Sequence, residues 1–214
     1  MTRDWQAWHE QYDDPASSLS RRLLVVREQL RALLVDRPQT TRIISMCAGD
    51  GRDLLPVLAE TSPGVDAVLV ELDPDLADRA EQTARALGLE RIDVRNGDAG
   101  TTETYHGCVP ADVVMACGVF GNIDDTDVER TVRGLRGLLH EGGHVIWTRG
   151  ANVPDDRTQY TGDPAEQVRH VFARAGFEER AFVRPDDASF RVGVHRLTGS
   201  PDPFVPDVQL FTFR

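Results

Sequence analysis

Ile43-Ile44-Ser45-Met46-Cys47-Ala48-Gly49-Asp50-Gly51 is the stretch on which the fold turns. A short apolar run reads as a buried strand, and the Ala48–Gly51 turn after it leads into a helix through Leu54, Leu55 and Leu58. The same rhythm repeats downstream. Ala67–Val70 is a second apolar run ending at Glu71, Pro74–Leu87 has helical spacing and stops at Gly88, and Arg91–Val94 is a third strand. Asp112–Ala116, a helix over Asp124–Leu139 halted at Gly142-Gly143, and His144–Thr148 continue the alternation. Continuous apolar strands separated by helices imply a parallel sheet covered on both faces. Right-handed crossovers make it doubly wound.

Both ends of the chain depart from this pattern. Trp5, Trp8 and Tyr12 sit at near-helical spacing before Asp13-Asp14-Pro15. Ser17 or Ser18 then caps a longer helix with Leu23, Val26, Leu30, Leu33 and Leu34 on one side. After a helix over Pro164–Ala175, the runs Phe177–Val183 and Ser189–Leu197 have no helix between them. Such a short return is a hairpin, so one strand runs antiparallel to the rest. Val208–Phe213 alternates strictly and reads as an extra edge strand. The expected architecture is α/β: a doubly wound, mostly parallel seven-stranded sheet with an antiparallel C-terminal hairpin strand. Helices cover both faces, and an N-terminal helical segment precedes them. Residues 1–41 form a helical lid or appendage, 42–200 the sheet domain, and 201–214 a tail.

Composition narrows the function. The chain has 214 residues and a formal charge of −11, with Asp plus Glu numbering 35 against 24 basic residues. A nucleic-acid partner wants a positive footprint, so this balance argues against one. Every basic residue is arginine, which excludes a lysine Schiff base, a P-loop lysine and a Ser-Lys dyad within these residues. No apolar stretch has the ~18 residues of a membrane span, and the charged start is unlike a secretory leader. Three cysteines in no framework spacing fit a reducing, cytoplasmic setting. An exposed edge strand near the C-terminus would be covered by its own sheet or by a homodimer partner.

The chemistry gathers at the strand ends. Gly49-Asp50-Gly51 lets the backbone fold tightly where a ligand approaches a helix N-terminus. Glu71, 20 residues beyond Gly51 at the next strand end, is placed to accept hydrogen bonds from ribose hydroxyls. Asp98, in Asn96-Gly97-Asp98-Ala99, follows the third strand and can accept from an adenine amino group. Cys47 and Cys117 read as small buried fillers. The Asp124-Asp125 pair reads as a helix cap rather than a magnesium site, and the histidines lack ligand spacing, so no metal is expected.

In the order of these motifs, and in the reversed last strand, the sheet domain resembles the class I S-adenosylmethionine-dependent methyltransferases. The resemblance implies S-adenosylmethionine as cofactor and a small-molecule methyl acceptor. The family's first motif, an acid followed by three alternate glycines, falls on Ser45, Cys47, Gly49 and Gly51, so only the last two glycines match. The resemblance places Cys47, Ala48, Gly49, Asp50, Gly51, Asp53, Glu71, Leu72, Asp98, Ala99, Cys117 and Gly118 around the cofactor. Asp50 or Asp53 would replace the missing acid at the methionine ammonium, with Asp13 and Arg22 near that end. The loop Cys117–Asn122 would face the sulfonium and the acceptor. His9, Tyr12, Asn122, Arg149 and Tyr160 are the candidates for assisting transfer. Two alternatives remain: a cofactor-binding protein without catalysis, and a nicotinamide dinucleotide enzyme. The dinucleotide fingerprint requires a third glycine where Leu54 stands.

Overall fold

The computed structural model describes residues 12, 14–35, 41–61, 64–151 and 162–214. The sequence reads onto it as helix α1 (Ser18–Leu34), β1 (Arg42–Met46), α2 (Leu55–Thr61), β2 (Asp66–Glu71) and α3 (Pro74–Ala86). Then follow β3 (Ile92–Asn96), a 3-10 turn (Thr102–Tyr105), β4 (Ala111–Ala116), α4 (Asp125–Leu138), β5 (Leu139–Gly150), α5 (Pro164–Arg174), β6 (Phe177–Val183) and β7 (Phe190–Leu197).

The seven strands form one sheet in the order β3-β2-β1-β4-β5-β7-β6. β1 pairs in parallel with β2 and β4, and β2 with β3. β5 is parallel to β4, while β7 is antiparallel to both β5 and β6. The expected α/β fold, with its single reversed strand, is therefore present.

Period-two alternation divides the core. Ile44, Val68, Val114, Val145 and Trp147 face α4 and α5, meeting Val128, Val132, Val168 and Phe172. Their neighbours Ile43, Ala67, Val113 and Ile146 face α1, α2 and α3, meeting Val26, Leu30, Leu58 and Ala80. Four of the five described helices start at side-chain caps. Ser17 accepts from Ser20 N, Asp73 from Asp75 N and Leu76 N, Asp124 from Asp127 N, and Asp163 from Ala165 N. Each cap satisfies amides that a first turn leaves open. Asp124 thus has the capping role that its position suggested.

Three expectations change. α2 starts at Leu55, so Leu54, expected in the helix, lies in the turn before it. β5 starts at Leu139 and runs through Gly142-Gly143, so these glycines lie inside a strand rather than ending a helix. Val208–Phe213 is not an edge strand: its one ladder contact is an isolated bridge between Thr101 and Gln209. Leu210 and Phe211 are buried in the face of the core that holds α4 and α5. With that run packed on its own chain, the exposed edge that argued for a dimer is gone.

Candidate functional site

At the carboxyl edge of the sheet the polypeptide leaves β1 through a tight turn. Cys47, Gly49 and Gly51 all have positive φ, at 51°, 58° and 74°. Glycine enters that region freely, but a side chain there costs about 1–2 kcal/mol, so Cys47 stores strain. Gly51 has a second constraint. A Cβ there would lie 2.6 Å from Leu55 Cδ1 and 2.9 Å from Leu69 Cδ2.

Glu71 ties this turn to the next. Its carboxylate accepts from Gly49 N at 2.7 Å and from Asp73 N at 2.9 Å. Asp98 accepts from Gly100 N at 2.7 Å. These ties hold both acids at the mouth of a cavity of about 600 Å³, also lined by Cys47, Ala48, Gly49, Asp50, Asp53, Leu72, Ala99, Cys117 and Gly118. Of the twelve residues assigned to a cofactor, only Gly51 lies beneath the lining, supporting the turn.

The two candidate replacements for the missing acid differ in state. Asp50 receives Arg52 Nε at 2.8 Å and Nη2 at 2.5 Å, a bidentate pair. Asp53 also lines the cavity, but its buried Oδ1 has no hydrogen-bond partner. Burial pushes its carboxyl up to about 6, against the pull of Arg22 and Arg27. A carboxylate desolvated in this way is short of one cation or donor.

Tyr12 closes the opposite side. Its hydroxyl accepts from Arg22 Nη2 at 2.7 Å, and the Arg52 guanidinium lies 4.5 Å over its ring. Arg22, Leu23 and Val26 bring the face of α1 to the same cavity. Burial raises the Cys47 and Cys117 thiols, reinforced by Glu71 at the first and Asp53 at the second. Neither is a thiolate nucleophile at neutral pH, and both line the cavity rather than fill the core.

The loop after β4 departs from expectation. Cys117 and Gly118 reach the cavity, but Phe120 is buried edge-on against Trp147 and Phe172. Asn122 Nδ2 donates to Gly118 O at 2.6 Å, so the side chain braces its own loop and does not line the cavity. Arg149 is also outside it. Its guanidinium is buried 3.9 Å from Asp125, with no hydrogen bond. Trp147 takes this face of β5 into the core, and Arg149 follows it two residues later. His9, Asp13 and Tyr160 lie outside the described residues.

The sequence reading missed Phe211, Thr212 and Phe213 as cavity lining. Their alternation suggested a strand, and nothing local indicates where such a segment docks. Among the described residues no three His, Cys, Asp or Glu side chains gather as a metal site, and no helix is long and apolar enough to cross a membrane.

Residues 45–145 match the family model described as Methyltransferase domain. No curated protein sequence matches the chain. A Bordetella parapertussis structure described as a possible exported protein is 21% identical, with TM-score 0.66, over 84% of this chain and 68% of that one. The CurJ carbon methyltransferase is 15% identical, with TM-score 0.64, over 83% of this chain and 54% of its own length. An O-methyltransferase family protein from Burkholderia thailandensis is 17% identical, with TM-score 0.59, over 90% and 68%. The chain thus spans about half of the carbon methyltransferase and two thirds of the other two. Residues 45–145 thus match a methyltransferase domain, and the chain shares the fold of these structures.

Proposed function

We propose that the chain transfers a methyl group from S-adenosylmethionine to a small-molecule acceptor. One observation carries this reading: Glu71, Asp98 and the unpartnered Asp53 oxygen line one cavity at three successive turns of the sheet edge. Its volume lies within the ~300–1,000 Å³ usual for ligand sites.

The residues suit the cofactor in order. Each Glu71 oxygen spends one lone pair on a backbone amide and keeps another for a ribose hydroxyl. Leu72 lies beside the base and Asp98 faces its amino group. Asp53 would take the ammonium in place of the acid that Ser45 replaces, with the Arg22 guanidinium on the lining of the same end. Tyr12, ahead of α1, covers the methionine end from the side of the cavity opposite Glu71. When bound, the cofactor supplies a sulfonium methyl already activated for displacement. The protein then contributes alignment and exclusion of water, effects worth up to about 7–11 kcal/mol. Three free cysteines fit a reducing compartment, and we assign the chain to the cytoplasm.

Calorimetric titration with S-adenosylmethionine and S-adenosylhomocysteine, with NADH as control, tests this reading. Micromolar binding of both adenosyl ligands is expected, with none of NADH. Failure of both to bind would remove the cofactor assignment and the activity with it.

A further inference from the structure

The segment after β7 does not end at the sheet. Leu210 N donates to Gly100 O at 2.6 Å, and Gln209 Nε2 reaches the same oxygen at 3.1 Å. Gly100 N in turn donates to Asp98. One peptide step therefore joins the segment to the acid at the adenine end of the cavity. A Cβ on Gly100 would collide with the carbonyl of Phe211, so glycine here permits the close crossing. Beyond the crossing, Thr212 N donates to Asp127 Oδ2 at 2.9 Å, and Arg214 N to Asn122 O at 3.2 Å. The Arg214 side chain pairs with Asp124.

The segment thus bridges the loop after β3 and the loop after β4. Phe211 and Phe213 stack along the bridge, with ring centroids 5.4 Å apart. Phe211 is buried, whereas Phe213 is 36% exposed and lines the cavity. Leu72, also on the lining, is 69% exposed at the end of β2. An apolar side chain so exposed at a cavity mouth gains by covering a flat apolar ligand.

We propose that Phe213, backed by Phe211, is the aromatic wall of the adenine subsite, and that the backbone ties of residues 209–214 hold the Asp98 loop against it. This deepens the methyltransferase reading and rests on it. Phe213 is a binding residue for the nucleobase, on a segment outside the matched residues 45–145. Its ring covers the base by stacking, and Leu72 covers it from the β2 end.

Two probes that share adenine and ribose separate the possibilities: S-adenosylhomocysteine, and methylthioadenosine, which lacks the amino-acid end. Phe213→Ala should weaken both by a similar factor, roughly 5- to 150-fold, the range of base–aromatic contacts. Phe213→Tyr should restore both. Thermal unfolding of the unliganded variants monitors folding, and Phe213 is exposed enough to truncate without opening the core. Unchanged affinity for both probes in Phe213→Ala overturns the proposal. Weakening of S-adenosylhomocysteine alone also overturns it, by moving Phe213 to the methionine end. If the unaltered chain binds neither probe, the methyltransferase reading fails first and takes the wall with it.

Discussion

Asp53→Asn puts the cofactor assignment and the energetics of the site to one test. Burial raises the Asp53 carboxyl from its ordinary 3.8 to about 6. Each unit of pKa is worth about 1.4 kcal/mol, so ionising this group in the unliganded protein costs about 3 kcal/mol. The folded value is raised, so the associated stability is present in full below pH ~4 and is lost as pH rises through about 6. The unliganded Asn variant should therefore be more stable than the parent at pH 7, by up to about 3 kcal/mol, and the gap should close by pH 4. Urea unfolding at the two pH values measures it.

Binding should change in the opposite direction. An ammonium needs Asp53 ionised, and at pH 5 a group titrating at about 6 is mostly protonated. S-adenosylhomocysteine should then bind the parent roughly tenfold more weakly at pH 5 than at pH 7, by the same linkage. Methylthioadenosine, without an ammonium, should show no such slope. In Asp53→Asn the slope should vanish, and affinity at pH 7 should fall by about 1.5–3 kcal/mol, the worth of a hydrogen bond to a charged group. A variant no more stable at pH 7, or one that keeps the parent's pH slope, would refute the assignment.

Other substitutions test other parts of the site. Glu71→Ala should weaken S-adenosylhomocysteine by about 1.5–3 kcal/mol, and calorimetry showing unchanged affinity would remove the ribose role. His195, buried and accepting from Trp147 Nε1 at 3.0 Å, is held down to about 4. Its contribution is present above pH 6.5 and is lost as pH falls toward 4, about 3 kcal/mol by the same conversion. It opposes Asp53, so acid unfolding of Asp53→Asn should be steeper than that of the parent; equal pH profiles would contradict this. Arg149→Met combined with Asp125→Asn should stabilise the fold by about 1–3 kcal/mol, because it removes a buried cation without hydrogen bonds together with the charge that faces it. Cofactor affinity should not change, and a large loss of affinity would put Arg149 back in the site. Gly51→Ala should cost more than 1 kcal/mol, from the positive φ and the contact with Leu55; unaltered urea unfolding would contradict the backbone argument.

The site was partly legible for a physical reason. Glu71 and Asp98 follow buried strands directly, and a parallel sheet delivers every strand end to one edge. Placing the strands therefore placed the acids. Asp50 and Asp53 could not be ranked from sequence. The difference is that Arg52 folds back two residues onto Asp50, while Asp53 turns into the cavity without a partner for Oδ1. Phe120 and Asn122 were misplaced because the loop after β4 bends inward: the aromatic cluster of Trp147 and Phe172 claims the ring.

The sequence by itself determined the layered α/β architecture, the order of strands and helices through the sheet, and that one strand of the C-terminal hairpin is reversed. Those follow from which residues must leave water, and apolar periodicity records that directly. It also determined the turn after β1, since Gly49 and Gly51 tolerate the backbone it requires. Only the tertiary structure decided the fate of residues 208–213. Their alternation suits a strand, but Gly100 O takes the Leu210 amide and Asp127 takes that of Thr212. Both partners are distant in sequence, so no local pattern could announce them. Long-range competition for backbone hydrogen bonds turned an expected sheet edge into a wall of the cavity.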